Sequence, residues 1–343
     1  MPKEENIYQP LLSYIEEKNA KAISEIISEM EAVDIANLFG ILDDSQRVFL
    51  YELMDNDVSA EMLLYIDEED RKEFLKNFST KEIAEEIIGE INSDDAADII
   101  AELPEHQQNE IIQHIDDDEL AQSIVELLRY DDHVAGSLMA TELVKVDHNL
   151  SIIAAVREMR KQAEDMDEVY SIYVVDEQDK LLGTLSLKKL LTTSTSSKVS
   201  DVYNSKIRCV QDNEPAEDVA RYMQKYDLFE VPVIDALGRL VGRITIDDVM
   251  DFIKEETDKD YQLASGIATD IDSTDTILNI TKARLPWLFI GMVGGLIGSR
   301  VLQGNEEAMS HVPALMFFVP LIAATAGNIG VQASAIIVQL SLI

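Results

Sequence analysis

Carboxylates are the residues of this chain whose type and spacing carry the most chemistry. Asp94, Asp95 and Asp98 crowd one short stretch, and Asp94 and Asp98, four apart, share one face of a helix. Asp247, Asp248 and Asp251 open a second stretch, which Glu255, Glu256, Asp258 and Asp260 continue. Glu217 and Asp227 bracket a third. Clustered oxygen donors of this kind suit hard divalent cations. A plainer account fits the same residues: Ser93 is a good N-cap, Asp94 and Asp95 in the following turn complement a helix dipole, and the other acids cover solvated faces. Lys259 interrupts the last acidic run, and Asn213 and Pro215 stand where carboxylates would strengthen a site. Thr245 and Asp248 pair a hydroxyl with a carboxylate in a T-x-x-D phrase. Near the C-terminal end, Asn328 and Gln332 lie in an otherwise apolar run, where an amide is costly unless it faces protein, water or an ion.

The charge balance supports cation handling. The 343 residues include 66 acidic and 28 basic side chains, a formal net charge of −38. Nucleic acid is therefore excluded as an expected partner, since phosphate binding needs a basic surface. Beyond Leu285 the acids are Glu306 and Glu307 alone; the rest lie before it. Self-repulsion on this scale strains a compact fold and favours bound divalent cations. Cys209 is the single cysteine, which rules out an intrachain disulfide and fits a reducing compartment. The N-terminus, MPKEENIYQP, lacks the apolar core of a signal peptide. No phosphate-binding loop, nucleophile elbow, H-E-x-x-H or cysteine cluster is present, and His106, His114, His133, His148 and His311 have no metal-ligand spacing. The chain is not expected to be an enzyme.

Several elements must position these groups. Residues 1–135 read as an acidic helical domain, with apolar positions at spacings of three and four, such as Ile23, Ile26, Ile27 and Met30. The phrase beginning at Asp34 resembles the one beginning at Asp95, and EMLLYIDEEDRKEFL lies between them, so short helix pairs repeat with a period near 30 and predict a solenoid-like, superhelical stack. A clearer tandem follows. SIYVVDEQDKLLGTLSLKKLL, from Ser171 to Leu191, returns as FEVPVIDALGRLVGRITIDDVMDFI, from Phe229 to Ile253. Each copy follows an apolar-periodic helix, so the unit reads helix–strand–strand–helix. Residues 257–284 form a polar, largely helical connector with a break expected near Gly266. Residues 285–343 hold two apolar stretches, from Leu285 and from Val312, each long enough to cross a ~30 Å hydrocarbon core. Lys282 and Arg284 flank the first and Trp287 suits an interface, so the acidic region is expected in the cytoplasm and QGNEEAMSH outside. Gly291/Gly295 and Gly294/Gly298 suit close helix packing.

The tandem phrases resemble CBS domains, on Val233, Asp235, Gly238, Leu240, Gly242, Thr245 and Asp248 in the second copy. With YDDHVAGSLM ahead of the pair, the acidic helical domain, ARLPWL, and AGNIGVQAS in the second apolar stretch, the whole chain resembles the MgtE family of magnesium channels. The resemblance implies a multidomain fold: an all-α N-terminal domain over 1–135, α/β CBS units over 136–199 and 200–256, a connecting (plug) helix over 257–284, and transmembrane helices over 285–343. The family has five such helices; this chain carries the first two and is expected to be part of a longer protein.

The resemblance also implies a Mg²⁺-gated channel in the cell membrane, multi-pass and homodimeric, with the acidic domains sensing cytoplasmic Mg²⁺. Asp94, Asp95, Asp98, Glu217, Asp227, Asp248, Asp251, Glu255 and Glu256 are the implied sensing ligands. Metal draws the domains together and shuts the pore; without it the carboxylates repel and the connecting helix is freed. Asn328 lines the pore and orients hydrated Mg²⁺, with Gln332 a turn further on. In CBS pairs the Asp of T-x-x-D commonly holds ribose hydroxyls, so Thr245 and Asp248 form an alternative site for ATP or another adenine nucleotide; the first copy has Ser186 and Lys189 there. The rival function is a CBS-based adenine-nucleotide sensor that controls another membrane transporter.

Overall fold

The computed structural model describes residues 5–164, 166, 169–264, 277–307, 311 and 313–341. It divides into two units, residues 1–250 and 251–343.

The first unit opens with short helices: α1 (Glu5–Glu16), α2 (Ala20–Ile27), α3 (Ala32–Phe39), α4 (Asp44–Tyr51), α5 (Asn56–Leu64), α6 (Glu68–Leu75), α7 (Thr80–Glu82), α8 (Ser93–Ala101), α9 (Glu105–His114) and α10 (Asp118–Leu127). Apolar edges of these helices meet in a shared core, where Ile23, Ile35, Leu50, Leu63, Ile87, Ile100 and Ile124 are all buried. Side-chain caps separate several of the helices. Asp43 and Gln46 close a reciprocal capping box ahead of α4, and Ser79 and Glu82 do the same ahead of α7. Beyond α7 the helix loosens into a π-turn (Ile83–Ile87) and a 3₁₀-turn (Ile88–Glu90) ahead of α8.

Two small sheets follow. In the first, β1 (Val144–Asp147) runs parallel to β2 (Ile172–Val175), which pairs antiparallel with β3 (Leu181–Leu185). In the second, β4 (Val210–Gln211) runs parallel to β5 (Glu230–Ile234), which pairs antiparallel with β6 (Leu240–Thr245). The crossover helices are α11 (Ile152–Gln162) and α13 (Ala216–Tyr226), and the closing helices are α12 (Leu187–Thr192) and α14 (Ile246–Ala264). The tandem is thus present, with one correction: each copy begins with a further short strand, β1 or β4, ahead of its helix. These strands hold four and two residues, too few for alternation to register, and long-range parallel pairing forms them.

The copies match each other at their turns. Asp176 accepts the N–H groups of Gln178 and Lys180, and Asp235 accepts those of Leu237 and Arg239. The left-handed position of the turn holds Asp179 (φ 58°) in the first copy and Gly238 (φ 80°) in the second. The turns then bond to each other, Leu181 N–H to the Gly238 carbonyl and Leu240 N–H to that of Asp179.

The linker into the first copy is built into the second. Ala135 and Gly136 donate to the carbonyls of Glu214 and Asp212 at 2.8 and 2.7 Å, and Ala216 donates to that of His133. A Cβ on Gly136 would lie 2.3 Å from the Tyr130 ring, and the Tyr130 hydroxyl donates to Asp212. The YDDHVAGSLM phrase is therefore a docking strap. Through Ala135 and Met139 the helical domain and the second CBS copy share one continuous apolar core, whereas the first copy has a separate core around Val144, Val174 and Leu185.

The second unit contains the later part of α14, then α15 (Ile277–Gly304), a 3₁₀-turn (Pro313–Phe317) and α16 (Val319–Ser341). Among the described residues one helix, Ile280–Gly304, is long and apolar enough to cross a membrane, and none of its apolar window is buried within the chain. It starts before the expected Leu285 and runs through Pro286. The break expected near Gly266 lies outside the described residues.

Candidate metal centre at the N-domain and CBS junction

The candidate centre lies within the first unit, between the start of α8 and the start of α14. The helix α8 takes Asn92 as its boundary residue, without a side-chain cap. Ser93, expected as the N-cap, is instead fully buried. Its hydroxyl contacts Thr141 Oγ1 at 2.9 Å and donates to Glu142 at 2.9 Å, and the Thr141 N–H donates to it at 2.9 Å. The turn Thr141–Glu142 is fixed in turn by β6: Ala140 and Arg243 exchange backbone hydrogen bonds at 2.9 Å each, and Arg243 Nε donates to the Glu142 carbonyl at 2.6 Å. Two residues further, Thr245 ends β6 and opens α14. Asp248 accepts both the Thr245 N–H at 3.1 Å and its hydroxyl at 2.6 Å, a cap that fixes the carboxylate toward α8.

Four expected ligands come together here: Asp94, Asp95, Asp98 and Asp248. Asp247 joins them, and all five are carboxylates; Glu142 borders the group, its carboxylate taken up by the Ser93 N–H and hydroxyl. Burial pushes the Asp94 carboxyl well above its ordinary range, and the charges of Asp248 and Asp95 push the same way. Asp95 is raised to about 7 by burial, then by Asp248 and Asp247, with Arg71 opposing. Asp248 is raised to about 6, chiefly by burial, against the lowering effect of its bond from Thr245. Asp98 is also raised, to about 7, by desolvation first and by Asp95 and Glu102 next, yet its side chain stays exposed at the surface. Water screens it there, so the strongest desolvation falls on the half-buried Asp94 and Asp95.

Among the described residues two cations, Arg71 and Arg243, border the cluster, and both are held elsewhere. Arg71 pairs with Glu102 and donates to the carbonyls of Leu63 and Ile66. Arg243 pairs with the buried Glu230 at 3.3 Å, which also accepts the Tyr173 hydroxyl. The junction thus concentrates negative charge in a poorly solvated place without matching internal counter-charge. Sequence reasoning singled out neither arginine nor Glu142. Arg243 had one legible signal, a charge at an inward position of a strand; Glu142 meets α8 across 49 residues and had none.

Among the described residues, no three carboxylate, imidazole or thiol side chains converge closely enough to hold a bare ion. The donor set is nonetheless all oxygen and uncompensated, which fits an ion that retains its water, as Mg²⁺ does with ~6 ligands and near-octahedral demands.

The remaining expected ligands lie apart from this junction or in the other unit. Glu217 is exposed at the start of α13 and pairs with Arg221 at 3.5 Å; Asp227 ends the same helix, exposed, at φ 51°. Asp251, Glu255 and Glu256 belong to the second unit, where Lys259 lies 3.7 Å from Glu255 and 3.5 Å from Glu256. Asn328 and Gln332 are on α16. At the equivalent of the T-x-x-D turn in the first copy, Ser186 caps α12 through the Lys189 N–H.

Known proteins share this architecture. A family model for the MgtE intracellular N domain matches residues 30–133, and the CBS domain model matches residues 135–195 and 199–255. The magnesium transporter MgtE of Thermus thermophilus is 32% identical over 340 residues, 98% of this chain and 75% of that protein. A crystal structure of the cytosolic domain of the Mg²⁺ channel MgtE in complex with ATP superposes with a TM-score of 0.66 at 32% identity, covering 71% of this chain and 98% of that one. A crystal structure of the soluble part of a magnesium transporter gives 0.66 at 28% identity, covering 74% and 99%.

Proposed function

This chain belongs to the MgtE family of magnesium transporters, and on that premise we propose that its first unit senses Mg²⁺ and regulates a magnesium pathway to which its apolar helices contribute. The carrying observation is the convergence of Asp94, Asp95 and Asp98 on α8 with Asp248 on α14, raised by burial and mutual repulsion. A hydrated Mg²⁺ at this junction relieves the repulsion and binds the joined arrangement in preference to the separated one. Differential affinity of this kind is what allows a ligand to shift a conformational equilibrium. High cytoplasmic Mg²⁺ then favours the closed junction and a shut pathway, a negative feedback. Asp251, Glu255, Glu256, Glu217 and Asp227 are assigned as further, outer acids of the response.

In this reading α15 and α16 are the first two membrane spans, the acidic unit is cytoplasmic, and Asn328 and Gln332 line the ion path. The protein acts as a homodimer, for which Leu187, Leu191 and Phe229, exposed on the CBS pair, supply apolar surface.

The test is thermal unfolding and limited proteolysis of the chain in Mg²⁺ against chelator. One site at ten times its Kd contributes about 1.4 kcal/mol, a rise of roughly 3–6 °C for a unit of this size. Asp94→Asn combined with Asp248→Asn is expected to abolish the rise. Equal stability of the unsubstituted chain in both buffers refutes sensing.

A second reading, control by an adenine nucleotide, has one observation in its favour: a relative at 32% identity binds ATP in its crystal structure. Here the Asp248 carboxylate is already engaged by Thr245 and faces α8. Calorimetry with ATP in chelator separates the readings, since tight binding of nucleotide together with indifference to Mg²⁺ favours the second.

A further inference from the structure

The first turn of α8 is held from outside its own domain. The Glu142 carboxylate accepts the Ser93 N–H, at 3.2 and 3.3 Å to its two oxygens, and the Ser93 hydroxyl at 2.9 Å. That N–H is one of the donors a helix start leaves unsatisfied, and the side chain of the boundary residue ordinarily meets others of the set, two or three positions on. Asn92 makes no such bond. Glu142 therefore caps α8 from across the domain boundary, and its negative charge complements the dipole there.

The backbone of the same residue is tied to the opposite side. The Glu142 carbonyl accepts Arg243 Nε at 2.6 Å, and Arg243 lies in β6, two residues before Thr245. Arg243 is buried and braced by Glu230, which accepts the Tyr173 hydroxyl. One residue thus joins both jaws of the acidic junction, α8 through its carboxylate and the start of α14 through its carbonyl. Its charge works against that closure, because it adds to the repulsion among Asp94, Asp95 and Asp248.

We propose that Glu142 is the positioning residue of the junction, acting through the hydrogen bonds of its carboxylate rather than through its charge, so that α8 and the Thr245–Asp248 turn meet in one register. For its metal-dependent arm the proposal rests on the Mg²⁺-sensing reading. Substitution separates the two roles of the carboxylate: Glu142→Gln keeps an acceptor oxygen without the charge, and Glu142→Ala removes both.

The experiment uses the full 343-residue chain in detergent, with Cys209→Ser, spin labels at Glu105→Cys and Gln224→Cys, and Mg²⁺ as the titrant. At saturating Mg²⁺ the unsubstituted chain and E142Q are expected to share one narrow distance distribution. E142A and Ser93→Ala are expected to broaden it and to raise the Mg²⁺ midpoint about tenfold or more, with E142Q within about threefold of the parent. An E142A titration equal to the parent overturns the proposal, and so does an E142Q as disrupted as E142A, which assigns the effect to charge. If E142A does not fold, S93A decides, and a parent-like S93A overturns it. A parent chain indifferent to Mg²⁺ refutes sensing instead. The distribution in chelator then settles the role of Glu142: E142A must lose a closed population that E142Q keeps, and absence of that population from the parent overturns both.

Discussion

Asp95 shows how the junction is poised at the scale of one side chain. Its carboxyl is raised from 3.8 to about 7, by burial first and by Asp248 and Asp247 next. The raised value fixes the sign of the pH effect: the folded chain holds more protons than the unfolded one between about pH 4 and 7, so stability falls as pH rises through that window and the full cost is present above it. Asp95→Asn is therefore expected to stabilise the chain in chelator at pH 8, by about 1–3 kcal/mol, and to have little effect near pH 4. Denaturant unfolding at the two pH values checks this, and an equal effect at both removes charge as the cause. The sequence made Asp94, Asp95, Asp98 and Asp248 legible as acids at helix starts, because their spacing is local. It misassigned Ser93, whose partners Thr141 and Glu142 lie 48 and 49 residues away. It could not distinguish Asp248, half-buried, from exposed acids such as Glu217, since that shielding arises only when α8 and α14 meet.

At the scale of elements, the two CBS copies use the same device for different ends. The last glycine of each strand phrase allows a neighbouring backbone to approach: a Cβ on Gly183 would lie 2.2 Å from the Asn204 carbonyl oxygen, and one on Gly242 would lie 2.7 Å from Met139 Sδ and 2.8 Å from the Ala140 carbonyl. Beside them, Thr184 pairs with Asn204, and Arg243 with Ala140. The first pairing fastens the linker between copies. The second fastens the strap that carries Thr141 and Glu142 to α8. Gly183→Ala and Gly242→Ala are each expected to cost about 1–3 kcal/mol through overpacking. Gly242→Ala alone is expected also to weaken the response to Mg²⁺, as read by protease protection in a titration; equal Mg²⁺ midpoints for the two variants argue against the strap as the link. The phrase itself, with its turn and glycines, was plain in the sequence because it repeats. The strands β1 and β4 were not, because their stability is tertiary, and neither was the shared core that makes YDDHVAGSLM a structural joint rather than a linker.

For the molecule as a whole, the net charge of −38 provides a rival explanation for any effect of Mg²⁺, because diffuse repulsion is relieved by any salt. Screening depends on ionic strength, with a Debye length of about 10 Å at 0.1 M, whereas binding at a desolvated junction depends on the identity of the cation and competes with protons. The two accounts predict different things. Millimolar Mg²⁺ is expected to raise stability and protease resistance where NaCl of equal ionic strength does not. The Mg²⁺ midpoint is also expected to move to higher concentration as pH falls from 8 to 6, because protons take up Asp95, raised to about 7, and Asp248, raised to about 6, before the metal can. Screening by ionic strength does not compete with protons for these two carboxylates and has no such dependence. A titration of thermal stability against MgCl₂ and against NaCl at pH 6 and pH 8 distinguishes the accounts. Overlapping salt curves, or an Mg²⁺ midpoint that does not move with pH, would assign the effect to the acidic surface at large and leave the junction between α8 and α14 as a purely structural contact.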